Sequence, residues 1–268
     1  MLRRGVLLTS LLATLGSTSL PLAGTAAADG KAAWAVTRHW NARRVYAHHR
    51  AHTRRKPAWS LRGRRRAHAG THRNTGTVSA GLRHRRSRQA LRAAAVARDR
   101  AAAIAAVLAT PCQNTQLTPE PGNLGLVREA VLCLINRRRA QSGESPLGLS
   151  SQLQQAAEAH AGELVADDYF AHVSPQGTTP VDRAREAGYI SNPAAGFVIG
   201  ENLAWGTYNL ATPAAIVAAW IASPGHLANI LEAQYDETGI GVTAQVPPSL
   251  AAGAPGATYA QEFGVIVR

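Results

Sequence analysis

Ile240-Gly-Val-Thr-Ala-Gln-Val246 and Tyr259-Ala-Gln-Glu-Phe-Gly-Val-Ile-Val267 are two alternating runs, one with Ile240, Val242, Ala244 and Val246 on a face and the other with Tyr259, Gln261, Phe263, Val265 and Val267. That period sends successive side chains to opposite faces of a pleated strand. Pro247-Pro248 through Gly256 is a long turn between them, so the two pair as sequential antiparallel strands. Upstream the period becomes helical. Thr212-Pro213 starts a helix through Ile216, Val217, Trp220 and Ile221; Ser223-Pro224-Gly225 stops it and delivers His226 just beyond. Thr179-Pro180-Val-Asp182 starts another, with Pro at its first position and an acid at its third, and Gly188 closes it. Ser150 or Ser151 caps an earlier one, in which Leu153, Ala157, His160 and Leu164 share a face. His160 on that apolar stripe reads as a packed core residue. Leu124, Val127, Val131, Leu134 and Ile135 stripe a helix that ends near Ala140, with Arg137-Arg138-Arg139 in its last turn, where cations suit the helix dipole. Helices set apart from sequential strands predict α+β layers around one sheet.

The charge is divided along the chain. Its 268 residues carry 29 Lys+Arg and 16 Asp+Glu, a net +13. Residues 29–100 hold 20 of the basic residues and two acids, whereas residues 101–268 hold seven Arg, no Lys and 14 acids, a net −7. The basic character therefore belongs to an arm. This excludes reading the whole chain as a basic nucleic-acid-binding domain. Two Cys exclude a disulfide-dense mini-protein and a four-cysteine zinc module.

Met1-Leu-Arg-Arg, the apolar run Gly5 to Leu22 and the small residues of Gly24-Thr-Ala-Ala-Ala-Asp-Gly read as a secretory signal over residues 1–28. No later run approaches the ~20 apolar residues of a membrane span. A secreted or cell-wall-associated protein is expected, with no transmembrane span after signal removal. In that compartment Cys112 and Cys133 are expected to pair, pinning the loop with Pro119, Pro121 and Gly122 to the helix that follows. In the arm, residues 29–109, Arg54-Arg55-Lys56 and Arg64-Arg65-Arg66 repel themselves, and Trp34, Trp40 and Trp59 follow no period. So little apolar surface does not offset the entropy of ordering, and most of the arm is expected to be disordered. The exception is the Ala-rich stretch 89–108, with Leu91, Val96, Ile104, Val107 and Leu108, which predicts a helix. Such an arm suits anionic cell-wall polymers or lipid headgroups. No helix-turn-helix pattern or zinc-finger spacing supports specific nucleic-acid recognition.

Three His follow residue 109: His160, His172 and His226. His172, Glu201 and His226 read as lying in turns or at element ends, where side chains converge on clefts. Two imidazoles and a carboxylate suit a divalent metal with an open water position. They equally suit general acid–base work near neutral pH. No Gly-x-Ser-x-Gly elbow is present.

Five motifs occur in order: Tyr169-Phe-Ala-His-Val-Ser-Pro175, Gly200-Glu-Asn-Leu-Ala-Trp-Gly206, Trp220-Ile-Ala-Ser-Pro-Gly-His-Leu-Ala-Asn-Ile230, Gly239-Ile-Gly-Val242 and Thr258-Tyr-Ala-Gln-Glu-Phe-Gly264. Together they resemble the CAP superfamily (cysteine-rich secretory proteins, antigen 5, pathogenesis-related 1; the SCP domain) in its bacterial form, over about Leu126–Val267. The resemblance implies that residues 110–268 form a three-layer α-β-α sandwich with a mainly antiparallel central sheet. It also implies a cleft with two His and two Glu. His172 matches the first His and Glu201 the first Glu. The second His of the eukaryotic pattern aligns with Thr258, while the bacterial pattern has His226. Glu262 is a candidate second Glu by strand position, although alternation turns its side chain away from the face of Gln261 and Phe263.

The implied ligand-binding set is His172, Glu201, His226 and Asn202, with zinc or magnesium at His172 and His226. Two functional readings stand. One is a secreted, non-enzymatic binding module that takes a small molecule, a lipid or a divalent cation in the cleft. The other is a metal-dependent extracellular hydrolase, peptidase-like, in which both His hold zinc and Glu201 activates water. A purely scaffolding role, with His172 hydrogen-bonded to Glu201, competes with both.

Overall fold

The computed structural model describes Trp34–Val36, Trp40–Arg44 and residues 75–267, with side chains described from residue 84 onward. The expected signal segment 1–28 and the Arg-rich runs at 54–56 and 64–66 lie outside the described residues.

Three helix starts follow capping side chains, at Ser150, Thr179 and Thr212. Helix α1 covers Thr75–Ala109 and contains the whole Ala-rich stretch 89–108. Helix α2 covers Leu124–Gln141 and buries Val127, Ala130, Val131 and Ile135. Helix α3, Ser151–Ala166, is capped by Ser150, whose side chain accepts from the Leu153 N–H. Helix α4, Pro180–Glu186, has a full capping box between Thr179 and Asp182; Gly188 follows it with φ +79°, a conformation that costs a side-chain-bearing residue energy. Helix α5, Pro213–Ala222, is capped by Thr212. At Ser223 the chain departs from expectation. Pro224-Gly225 opens a new helix, α6, Pro224–Ile230, so His226 lies inside a helix and not in a turn. Proline lacks the N–H that a first helical residue has no use for, and so it starts helices as readily as it stops them.

Strand β4, Gly196–Thr207, is the second departure, because it contains Glu201. Its twelve residues are all buried, so no alternation of apolar and polar side chains marks it, as is usual for a strand covered on both faces. The remaining strands are β1 (Trp34–Val36), β2 (Trp40–Arg44), β3 (Gly148–Leu149), β5 (Glu237–Thr243) and β6 (Gly256–Val267). Strand β5 stops short of Ala244 and Val246, and the long turn contains one helical turn, α7, Pro248–Ala251. The sheet order is β1-β4-β6-β5-β3, with β2 also on β4. All pairings are antiparallel except β3 with β5.

The layers follow from β4. Val198 and Ala204 point to α2, α5 and α6, in a core with Val131, Ile135, Ile216, Trp220, Tyr259 and Phe263. Phe197 and Ile199 point the other way, to Leu153, Val181 and Ala184 of α3 and α4. Leu203 joins Ala157, Ala161 and Leu164 on that side. The result is an α-β-α sandwich. Helix α3 crosses β5 closely because Gly239 and Gly241 carry no Cβ: one built there would strike the α3 backbone at Leu153–Gln154 and at Ala157. The Gly-Ile-Gly motif is thus a packing surface.

Two anchors tie the periphery down. A disulfide joins Cys112 to Cys133 on α2; closing a loop of that length contributes roughly 3 kcal/mol in the chain-entropy picture. Arg139 does more than complement the α2 dipole. Its side chain is fully buried, and its guanidinium donates to the carbonyls of Ser145 (2.8 Å), Ile230 (2.7 Å) and Glu232 (3.0 Å).

Candidate functional site

Glu201 on β4 pairs directly with Glu262 on β6. Directly opposed residues of an antiparallel pair share a face. Both carboxyls therefore stand on the α3/α4 side, and both are fully buried. Alternation places Glu262 away from Gln261 and Phe263, as expected, and that turns it toward Glu201. Helix α4 supplies Arg183, whose Nη2 donates to Glu201 Oε2 at 2.6 Å and to the His172 carbonyl at 2.9 Å. Its Nε lies 3.7 Å from Glu262 Oε1. The α3–α4 connection supplies His172, whose Nδ1 lies 2.6 Å from Glu201 Oε1. An ionised carboxylate only accepts, so Nδ1 of His172 carries the proton. From α3, His160 places Nε2 3.7 Å from Glu201 Oε2 and Nδ1 3.2 Å from Glu163 Oε2.

Charge is distributed unevenly among these groups. Burial raises the Glu201 carboxyl, but His160, Arg183 and the His172 hydrogen bond oppose it and hold Glu201 well below the ordinary carboxylate range. Burial and the neighbouring Glu201 push Glu262 well above that range, against the pull of Arg183. Burial also lowers His160, which Glu201 offsets only in part. The two carboxyls are thus pushed apart, Glu201 toward its ionised form on the Arg183 guanidinium and Glu262 toward its protonated form. Two facing carboxyls beside one guanidinium settle this way, because a second buried negative charge has no second cation.

His226 and Asn202 belong to the other side of the sheet. Asn202 follows Glu201 on β4 and so points oppositely. Its Nδ2 donates to the His226 carbonyl at 3.2 Å. His226 Nδ1 is hydrogen-bonded to Ser223 Oγ at 2.7 Å. Asn229 of α6 donates to the Glu201 carbonyl and to Asn202 Oδ1, both at 3.1 Å. The structure therefore brings His172 to Glu201, and separately Asn202 to the His226 backbone. Of the four, Glu201 and Asn202 are 0% exposed and His226 is 1%, while the His172 side chain keeps 11%.

Sequence reasoning missed Arg183. A usable signal existed: Val181 and Ala184 flank it on the buried face of α4, and an Arg there must find an acid partner.

A divalent cation does not fit these residues. The Glu201 oxygens already accept from Arg183 and His172, each at 2.6 Å. An ion at the ~2 Å distance of a carboxylate ligand would meet the fixed guanidinium charge. His226 lies across the sheet from His172. Among the described residues, no group of three or more His, Cys, Asp or Glu is arranged to hold a metal.

Residues 132–245 match the family model described as the cysteine-rich secretory protein family, CAP. The chain is 32% identical over 133 residues to the uncharacterized protein YkwD of Bacillus subtilis (strain 168), covering 50% of this chain and 49% of that protein. It is 31% identical over 112 residues to the uncharacterized membrane protein YlbC of the same organism, covering 42% and 30%. The match thus spans half or less of either relative. Among solved structures, an extracellular protein containing an SCP domain from Bacillus anthracis str. Ames aligns at 23% identity and a TM-score of 0.41, over 56% of this chain and 44% of that one. An outer surface protein from Borrelia burgdorferi aligns at 18% identity and a TM-score of 0.42, over 55% and 94%. With the five motifs in order and the α-β-α sandwich in place, the matching family model and the Bacillus relatives support a bacterial CAP/SCP domain around residues 132–245 of this chain.

Proposed function

We propose that the protein is an extracellular, non-enzymatic binding module, held at anionic envelope polymers or lipid headgroups by its basic arm. The observation that carries the non-enzymatic part is the state of Glu201: fully buried, with both oxygens committed to Arg183 and His172. A hydrolase reading needs one of those oxygens on an attacking water. The cluster acts instead as a clamp between the sheet, α4 and the α3–α4 connection. His172 is the member that a small ligand would meet, since its side chain is the most exposed of the three, at 11% against 5% for Arg183 and 0% for Glu201.

The disulfide supports an oxidising compartment. Among the described residues, no helix is long and apolar enough to cross a membrane. Helix α1 supports the adhesive part. Arg85, Arg86, Arg88 and Arg92 are exposed along it, and Asp99 is its one acid. At 1.5 Å per residue the helix is about 50 Å long, a rod that presents cations on several sides.

Sedimentation of the full chain with purified cell walls, and separately with phosphatidylglycerol vesicles, tests this and separates the two sources of anionic charge. Retention at ~50 mM salt that disappears near ~0.5 M, and that falls when Arg85, Arg86, Arg88 and Arg92 become Gln, is the expected result. Absence of retention on both, or indifference to the four substitutions, overturns the adhesive reading. Hydrolysis of a peptide panel that is lost in Glu201→Gln overturns the non-enzymatic one.

A further inference from the structure

Within the four strands β3 to β6, β4 lies at the edge of the sheet. One side of it pairs with β6 at every position from Gly196 to Thr207. The other side would present a row of unpaired N–H and C=O groups, a template for any extended chain. In this molecule the arm occupies it. Trp34–Val36 pairs antiparallel with Gly206–Ala204, and Trp40–Arg44 with Glu201–Phe197. The register steps by one residue between the two segments: Trp34 opposes Gly206, six residues before Trp40, which opposes Glu201, five residues before Gly206. Three of the eight paired residues, Trp34, Val36 and Trp40, favour strands.

We propose that the outer edge of β4 is a strand-docking site and that its resident occupant is the arm segment 34–44. Main-chain pairing would supply the affinity, as in other cases where an extended peptide completes a sheet. The occupant covers the strand that holds Glu201, so the arm is part of the folded domain and not an appendage to it. It also fixes the arm at a second point. Helix α1 is already pinned near its C-terminal end, where Arg100 donates to the Gly143 carbonyl (2.5 Å) and pairs with Glu144 (3.1 Å). Residues 45–74, with nine Lys+Arg, five His and no acid, lie between these two anchors in sequence. The inference is independent of what the arm binds.

Hydrogen exchange on the full chain tests it. Amides within Ala35–Val36 and Trp40–Arg44 are expected to exchange at least roughly tenfold more slowly than unstructured amides. In an Ala35→Pro/Ala42→Pro variant, which removes two donors and disfavours the strand, that protection is lost and outward-facing amides of Phe197–Gly206 exchange faster. A synthetic peptide of residues 31–46 is then expected to bind the variant, but not the wild type, at ~0.5 M salt, where charge attraction is screened. A scrambled peptide of the same composition is expected to bind neither. Unprotected exchange of the arm segment in the wild type overturns the proposal whatever the variant does. Equal binding of the scrambled peptide also overturns it, because attraction would then be charge alone.

Discussion

Glu201 and Asn202 are neighbours on one strand, both fully buried, and they face opposite layers. On the Glu201 side the arrangement turns on charge: Arg183 stands against Glu201, while burial pushes Glu262 toward its protonated form and His160 toward its neutral one. On the Asn202 side the hydrogen-bond partners are neutral groups. Asn229 donates one hydrogen bond to Asn202, Gln261 donates to Thr238 Oγ1 at 3.2 Å, and Trp220 Nε1 donates to the Leu203 carbonyl at 3.1 Å. Around them Tyr235 stacks on Phe263 with centroids 5.2 Å apart. The comparison teaches that one sheet can bury polar side chains by two routes with different failure modes. A charged cluster fails abruptly when one partner goes, since a lone buried charge remains. A neutral network loses one hydrogen bond at a time.

The largest effect is therefore expected from Arg183→Met. It leaves Glu201 without its cation, and a broken buried pair costs about 3–5 kcal/mol. Urea unfolding measures it, and a loss below about 1 kcal/mol, the range of a surface pair, would show that the guanidinium is not the clamp. The double variant Arg183→Met/Glu201→Gln should recover much of the loss, because no lone charge is then buried. Asn229→Ala, on the neutral side, removes two hydrogen bonds and leaves Asn202 Oδ1 with one partner fewer; about 1–3 kcal/mol is expected. If Asn229→Ala costs as much as Arg183→Met, the contrast between the faces fails.

A third expectation is a dependence on pH. The folded Glu262 carboxyl is raised above its ordinary 4.5, so the fold holds that proton more tightly than the unfolded chain does. Its contribution is fully present below about pH 4.5 and shrinks as pH rises toward the folded value. Glu201 has the opposite sign: its depressed carboxyl stabilises above 4.5 and loses that as pH falls. Glu262→Gln isolates the first. Its stability relative to wild type should improve steadily as pH rises above about 4.5, measured by thermal melts in matched salt. A pH-independent difference would mean that Glu262 is ionised in the fold.

Much of this was legible along the chain. The caps at Ser150, Thr179 and Thr212 act through residues three positions away, so local order exposes them. The cysteine pairing and the family motifs were equally readable. Strand β4 was not, because a strand buried on both faces has no period to read. Pro224 was ambiguous, since proline serves a helix's start as well as its end. The cluster's membership was hidden for a related reason. Arg183 is one more Arg in a short helix until α4 is laid on the Glu201 face.

Amino-acid order by itself determined where helices begin, which segments carry which charge, and that two half-cystines share one domain, because each of these depends on neighbours within a few residues or on composition. Only the tertiary structure decided that His172 and Glu201 meet while His226 stands across the sheet, and that Glu262 faces Glu201. Those outcomes depend on strand register and on the face each residue takes, and a shift of one residue would reverse every side chain on β4.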